Sequence, residues 1–149
     1  MKAYLIDTNV ISKLAPTKRT FSPNFAHWLR RADQDGLVFM SVVTVHELER
    51  GIERLSLRGA TAKATALTHW LDSVLVGFGG KFLPIDLPTA LISGRLEARA
   101  IGRGGAPGVG DAMIAGTAHV HGLTVITENV RDFALFEISH MLPSQAASL

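Results

Sequence analysis

MKAYLIDTNVIS, residues 1–12, runs a short apolar stretch, Ala3 to Ile6, straight into Asp7, Thr8 and Asn9 before apolar residues resume at Val10 and Ile11. A run of that length bounded by polar residues reads as a buried strand. Three further runs read the same way: 37–41 (LVFMS), 81–85 (KFLPI) and 123–127 (LTVIT). Longer segments with helical spacing lie between them. Ser22-Pro23 opens the first, a capping residue followed by proline at the first helical position, with Phe25, Trp28, Leu29 and Ala32 as its apolar stripe and Gly36 as its stop. The others are expected over about 44–58, 60–76, 88–102 and 111–121, with Gly122 as a left-handed stop. Strands alternating with helices imply right-handed crossovers and a parallel sheet covered on both faces.

At 149 residues, 47% apolar and 19% charged, the chain is expected to be one domain, 1–149, with its own core. It contains no cysteine, which excludes a thiolate nucleophile, a disulfide framework and a thiolate metal site, and predicts a cytoplasmic location. No signal-peptide pattern opens it and no run approaches membrane-spanning length, so no membrane role is expected. Net charge is only +2, yet ten of the fifteen basic residues are Arg, which favours bidentate contact with phosphate or carboxylate. The stretch GRGGAPGVG, 102–110, reads as a mobile loop between two helices.

In a parallel α/β sheet, ligands bind outside the carboxyl ends of the strands. Asp7 follows the first strand, Glu47 is expected in the first turn of the helix after the second, and Asn129 and Asp132 follow the fourth in TENVRDF. Asp111 opens the last predicted helix and joins them only if the glycine-rich loop returns the chain to that edge. Each residue also has a plain reading. Asp7 and Asp111 could be helix caps, Thr44-Val-His-Glu47 fits a capping box, and Asp132 could close a turn. Capping, however, accepts Ser, Thr or Asn as readily, whereas acids meeting in one cleft repel unless protonated or neutralised. The natural counter-ion is Mg²⁺ or Mn²⁺, hard ions taking oxygen ligands and keeping several waters. Such a site suits phosphodiester hydrolysis, with the metal lowering the pKa of a water, orienting the phosphate and stabilising the leaving oxygen. Thr8, Asn9, Thr44 and Thr127 stand beside the acids as residues able to fix their rotamers, or as ordinary turn and cap residues.

The stretches YLIDTNVIS, SVVTVHELERGIER, GVGDAMIAGTA and LTVITENVRDF, in this order and spacing, resemble the PIN domain, most closely the VapC or FitB-like toxin ribonucleases of bacterial toxin–antitoxin pairs. The resemblance implies an α/β/α sandwich with a central parallel sheet in strand order 3-2-1-4-5. It implies that Asp7, Glu47 and Asp111 are metal ligands, with Asn129 and Asp132 as supporting candidates. Asn129 departs from the acid often found there, and Glu128 stands where Arg is common. Gly51, one turn after Glu47, matches a small residue that leaves room for substrate or partner. By resemblance the chain is also expected to form a homodimer, to cut a structured RNA such as a tRNA or rRNA, and to be held inactive by an antitoxin. That antitoxin would lay an apolar helix in the groove and connect the toxin to DNA only indirectly.

Arg50, Arg54 and Arg58 recur every four residues, as do Arg95, Arg99 and Arg103. Both series read equally as solvated faces or as phosphate contacts, and Arg95 and Arg99, leading toward the glycine-rich loop, are the preferred RNA contacts. His46-Glu47-Leu48-Glu49-Arg50 has Arg where a zinc protease needs its second His, and the glycine-rich loop lacks the Gly-Lys-Ser/Thr of a phosphate loop. Two other classes compete with a nuclease. One is a PIN-like binding module without activity, which the retained acids argue against; the other is a receiver-type domain, which needs a second acid beside Asp7 where Thr8 and Asn9 stand.

Overall fold

Tyr4, Leu5 and Ile6 form β1 (Tyr4–Ile6), and all three are buried because helices cover both faces of the strand. The computed structural model describes residues 2–17 and 22–149. Among them β2 (Val38–Ser41), β3 (Phe82–Leu83), β4 (Thr124–Ile126) and β5 (His140–Met141) join β1 in one parallel sheet of order β3-β2-β1-β4-β5. The four strands read from sequence are present. The fifth, only two residues long, carries no alternation that a sequence pattern could show.

The helices are α1 (Thr8–Ser12), α2 (Pro23–Gln34), α3 (Val42–Leu57), α4 (Thr61–Phe78), α5 (Leu87–Gly102), α6 (Val109–His121), α7 (Val130–Leu135) and α8 (Pro143–Ala147). Tyr4, Ile6, Val38 and Met40 pack with α1, α2, α3 and α4 on one face of the sheet, including Trp28 edge-on to Tyr4 at 5.0 Å between ring centroids. Leu5 and Val125 pack with α5, α6 and α7 on the other, around Leu96, Ile114, Phe133 and Phe136. This alternation along β1 is what makes three layers from one central strand. As expected, Ser22 caps α2 through its side chain and Gly122 ends α6 in the left-handed region at φ 66°.

Two expectations change. The helix after β2 begins at Val42, not Thr44, because the Ser41 side chain accepts from Val43 N and caps it; the Thr44-to-Glu47 capping box is not formed, and Glu47 falls in the second turn. The helix before the glycine-rich loop, expected from the strand and helix alternation to run back from the carboxyl edge of the sheet, runs toward it instead. A Cβ on Gly116 of α6 would meet the Ser93 side chain and Thr89 O of α5, and Asp86 at the start of α5 lies near His121 at the end of α6. The two helices are therefore antiparallel, and α5 ends where α6 begins. The connecting loop is held against α7: Arg103 donates to Leu135 O and pairs with Glu137, and a Cβ on Gly105 would stand 2.5 Å from Leu135 Cδ1.

Close approach of α5 and α6 depends on Gly116. A Cβ there would lie 2.0 Å from Ser93 Oγ, 3.0 Å from Ser93 Cβ and 3.0 Å from Thr89 O. Alanine would gain about 1 kcal/mol in helix propensity. Overpacking costs about 1–3 kcal/mol and should win, since two of the three contacts are close to the helix backbone. Gly116→Ala is expected to lower stability by up to about 2 kcal/mol net in urea melts, with part of the loss recovered by Ser93→Gly. A stabilised Gly116→Ala protein would contradict this packing.

Candidate active site

β1 hands the chain to α1 without a loop. Asp7 is the residue at the junction; it caps α1 by accepting from Thr8 N, while its own N–H still pairs with Ile126 O at 3.0 Å. The plain reading of Asp7 as a cap therefore holds, but one oxygen is enough for it. The other oxygen accepts from Thr127 Oγ1 at 2.7 Å and from Asn9 Nδ2 at 3.2 Å. Thr127 stands next to Asp7 because Ile6 and Ile126 are paired in register. Its hydroxyl donates to Asp7 and accepts from Asn129 N at 2.9 Å, so one side chain serves both strand ends.

Glu47 reaches the same place from α3. Thr8 Oγ1 donates to Glu47 Oε1 at 2.7 Å and lies 2.9 Å from Thr44 Oγ1. Thr8 has one hydroxyl proton, and with that proton on Glu47, Thr44 must be the donor to Thr8. The fully buried Thr44 thus fixes Thr8, and Thr8 fixes Glu47. The part played by Gly110 has no signal in the sequence pattern. A Cβ there would stand 3.2 Å from Glu47 Oε2, so the glycine just before Asp111 leaves Glu47 its space.

Gly108 occupies the cap position of α6, which places Asp111 inside the first turn; it does not cap the helix. Asp132 lies in the first turn of α7 and closes no loop. Asn129 joins the two. Its Nδ2 donates to Asp132 Oδ2 at 3.0 Å and to Asp111 Oδ2 at 3.4 Å, spending both amide protons on carboxylates. The structure thus brings together Asp7, Glu47, Asp111, Asn129 and Asp132, along with Thr8, Asn9, Thr44 and Thr127. Glu128 turns outward and pairs with Lys13. Arg95 and Arg99 are exposed on α5, whose buried side, Thr89, Ser93, Leu96 and Ala100, faces α6.

The acids perturb one another. Burial, reinforced by the charges of Asp111 and Glu47, pushes the Asp7 carboxyl up to about 6 against the hydrogen bonds from Thr127 and Thr8. Burial also raises Asp111, and the charges of Glu47 and Asp132 add to it. None of the ion pairs among the described residues neutralises any of the four acids. The donor set is oxygen throughout, as Mg²⁺ or Mn²⁺ requires. Among the described residues no three His, Cys, Asp or Glu groups are already drawn together as a tight cage. An ion that keeps several waters and takes one or two carboxylates directly does not need one, so the residues fit such an ion.

Beside Glu47 an apolar groove of about 360 Å³ runs between α3 and α4, floored by Leu48, Ile52, Leu67 and Trp70 and open at Gly51, where a Cβ would meet nothing within 4 Å. Among the described residues, no helix is long and apolar enough to cross a membrane.

The PIN domain family matches residues 4–137. The chain is similar to the toxin FitB of Neisseria gonorrhoeae, 34% identical over 140 residues that cover 93% of this chain and 96% of that protein. It is also similar to a VapC ribonuclease of Sinorhizobium fredii, 31% identical over 133 residues, covering 87% and 89%. Among solved structures, the FitAcB crystal structure from Neisseria gonorrhoeae superposes with a TM-score of 0.76 at 32% identity, over 95% of this chain and 98% of that one. A DNA-bound VapBC structure from Salmonella typhimurium shares the fold, with a TM-score of 0.74 at 23% identity over 96% and 99%. The matched region contains the whole acidic cluster, and on these grounds the chain belongs to the PIN domain family.

Proposed function

We propose that this chain is the ribonuclease toxin of a toxin–antitoxin pair, hydrolysing RNA phosphodiesters at the acidic cleft with bound Mg²⁺ or Mn²⁺. The observation that carries the proposal is the meeting of Asp7, Glu47, Asp111 and Asp132 at the carboxyl edge of the sheet with no ion pair among the described residues to neutralise them. Asp7, Glu47 and Asp111 hold the ion, with Asp132 as a further acid and Asn129 as the amide that spaces Asp132 from Asp111. When bound, the ion supplies an acidified water and charge stabilisation for the phosphate. Thr8, positioned by Thr44, orients Glu47; Thr127 and Asn9 orient Asp7. No side chain has to act as nucleophile.

The relative named as the toxin FitB and the solved FitAcB structure support an antitoxin partner. The groove beside Glu47 suits an apolar helix from that antitoxin, whose basic side chain would enter the acidic cluster, and DNA would be reached only through it. A homodimer would cover the exposed Leu87, Leu91 and Ile101 of α5. A tRNA or rRNA is the expected substrate and the cytoplasm the expected location.

The test is cleavage of total cellular RNA by the antitoxin-free protein with Mg²⁺ or Mn²⁺ and with chelator. Discrete fragments that vanish with chelator are expected, and Asp132→Asn should weaken cleavage more than Glu128→Gln, because Glu128 is tied to Lys13 away from the cluster. A folded protein that cleaves no RNA with either metal would instead support the inactive binding module.

A further inference from the structure

We infer that Arg50 and Arg54 of α3 form a phosphate-binding track that leads the RNA backbone into the acidic cleft. The inference rests on the ribonuclease reading of that cleft and names the surface that holds the substrate. Helix geometry sets the track. At 1.5 Å and about 100° per residue, Arg50 lies about 4.5 Å and Arg54 about 10.5 Å along the axis from Glu47, turned from it by about 60° and 20°. Both therefore continue the face of α3 from which Glu47 enters the cleft. Both are exposed. Neither forms an ion pair among the described residues, although Glu47 and Glu53 each stand three residues from Arg50. Thr8 engages Glu47 instead.

Two guanidinium groups one turn apart repel each other, and no ion pair among the described residues relieves either of them. A polyanion laid along the helix would. It would also approach the acids from a cationic side, which the cleft needs, because four carboxylates on their own repel a phosphodiester. Arg fits the task through its bidentate geometry with phosphate oxygens. Arg95 and Arg99 are placed differently. They lie away from the buried side of α5 that meets α6, next to the exposed Leu91, and so away from the helix that presents Asp111.

The test separates binding from chemistry by placing Arg50→Gln/Arg54→Gln in an Asp111→Asn background and titrating a fluorescein-labelled single-stranded RNA of mixed sequence across a salt series. Each lost phosphate contact on a single strand flattens the slope of log K against log salt by about 0.7. The double variant should flatten it by about 1.4 and weaken binding at low salt by about tenfold or more, whereas Arg95→Gln/Arg99→Gln should bind as the parent does. In the protein with Asp111 intact, the Arg50/Arg54 variant should raise KM for RNA with kcat little changed. An unmoved slope in a protein that still cleaves RNA overturns the track and leaves the ribonuclease standing. A loss confined to the α5 variant overturns it in favour of that helix. A flattened slope in a protein that cleaves nothing upholds the track and sinks the ribonuclease, and no RNA binding at any salt removes both.

Discussion

Asp111→Asn is expected to reduce metal-dependent RNA cleavage by more than the about 10- to 100-fold typical of a residue that merely supports a metal site, without lowering the melting temperature. The two parts of the prediction have one cause. Asp111 is partly buried between Glu47 and Asp132, and both charges oppose its ionisation. An amide of the same shape removes that repulsion and leaves α6 intact, because Gly108 rather than Asp111 holds the cap position. Two hydrogen bonds are at stake: one from the Gly108 backbone N–H, which an amide oxygen can still accept, and one from Asn129 Nδ2, long at 3.4 Å. On the proposed mechanism, however, activity needs the carboxylate as a ligand, and an amide oxygen is a poor replacement for an anionic donor to a hard divalent ion. Loss of activity together with loss of cooperative unfolding would make Asp111 a structural residue, and retained activity would remove it from the site.

The second large effect concerns Asp7, and its sign follows from proton counting. Its carboxyl titrates near 6 in the folded chain against an ordinary value of 3.8, so the folded state holds a proton that the unfolded chain has released. The Asp7 contribution to stability without metal is therefore full below about pH 4 and is lost as pH rises through 6, by about 3 kcal/mol in all at about 1.36 kcal/mol per pH unit. Thermal melts of chelator-treated protein from pH 4 to pH 7 should show the decline, and Asp7→Asn should flatten it whatever that variant's absolute stability. Adding Mg²⁺ or Mn²⁺ at pH 7 should recover much of the loss, since ligand at a hundred times its Kd contributes about 2.7 kcal/mol. At pH 4, with Asp7 protonated, the same addition should do little. Equal stabilisation by the cation at both pH values would place the ion elsewhere, and a flat profile in the parent would mean that Asp7 is not held in a costly ionised state.

Asp7 and Asn129 show two ways in which a residue can meet several demands at once. Asp7 uses one oxygen as a helix cap and the other as part of the cluster, so its two readings were never exclusive. Asn129 replaces a charge with an amide whose two protons each reach a carboxylate. An acid at that position would add a fifth negative charge to the cleft. The neutral residue therefore eases the repulsion that a metal would otherwise have to offset alone.

The sequence by itself determined the strand and helix alternation, the parallel sense of the sheet and the acidic character of the site. Each is a local or near-local property: apolar runs of strand length, capping residues such as Ser22 and Gly122, and carboxylates just past strand ends. Four motifs in fixed order tied them to one family. Only the tertiary structure decided how the acids meet. Ser41, not Thr44, caps α3, because its side chain accepts from Val43 N where the chain leaves β2; Asp111 reaches the cluster because small residues on α6, Gly116 above all, let α5 lie antiparallel against it. The space that Gly110 leaves for Glu47, and the pairing of Glu128 with Lys13, join residues far apart in the chain. No local pattern encodes such contacts, because their partners are chosen by packing, and packing is settled only when the layers close on the sheet.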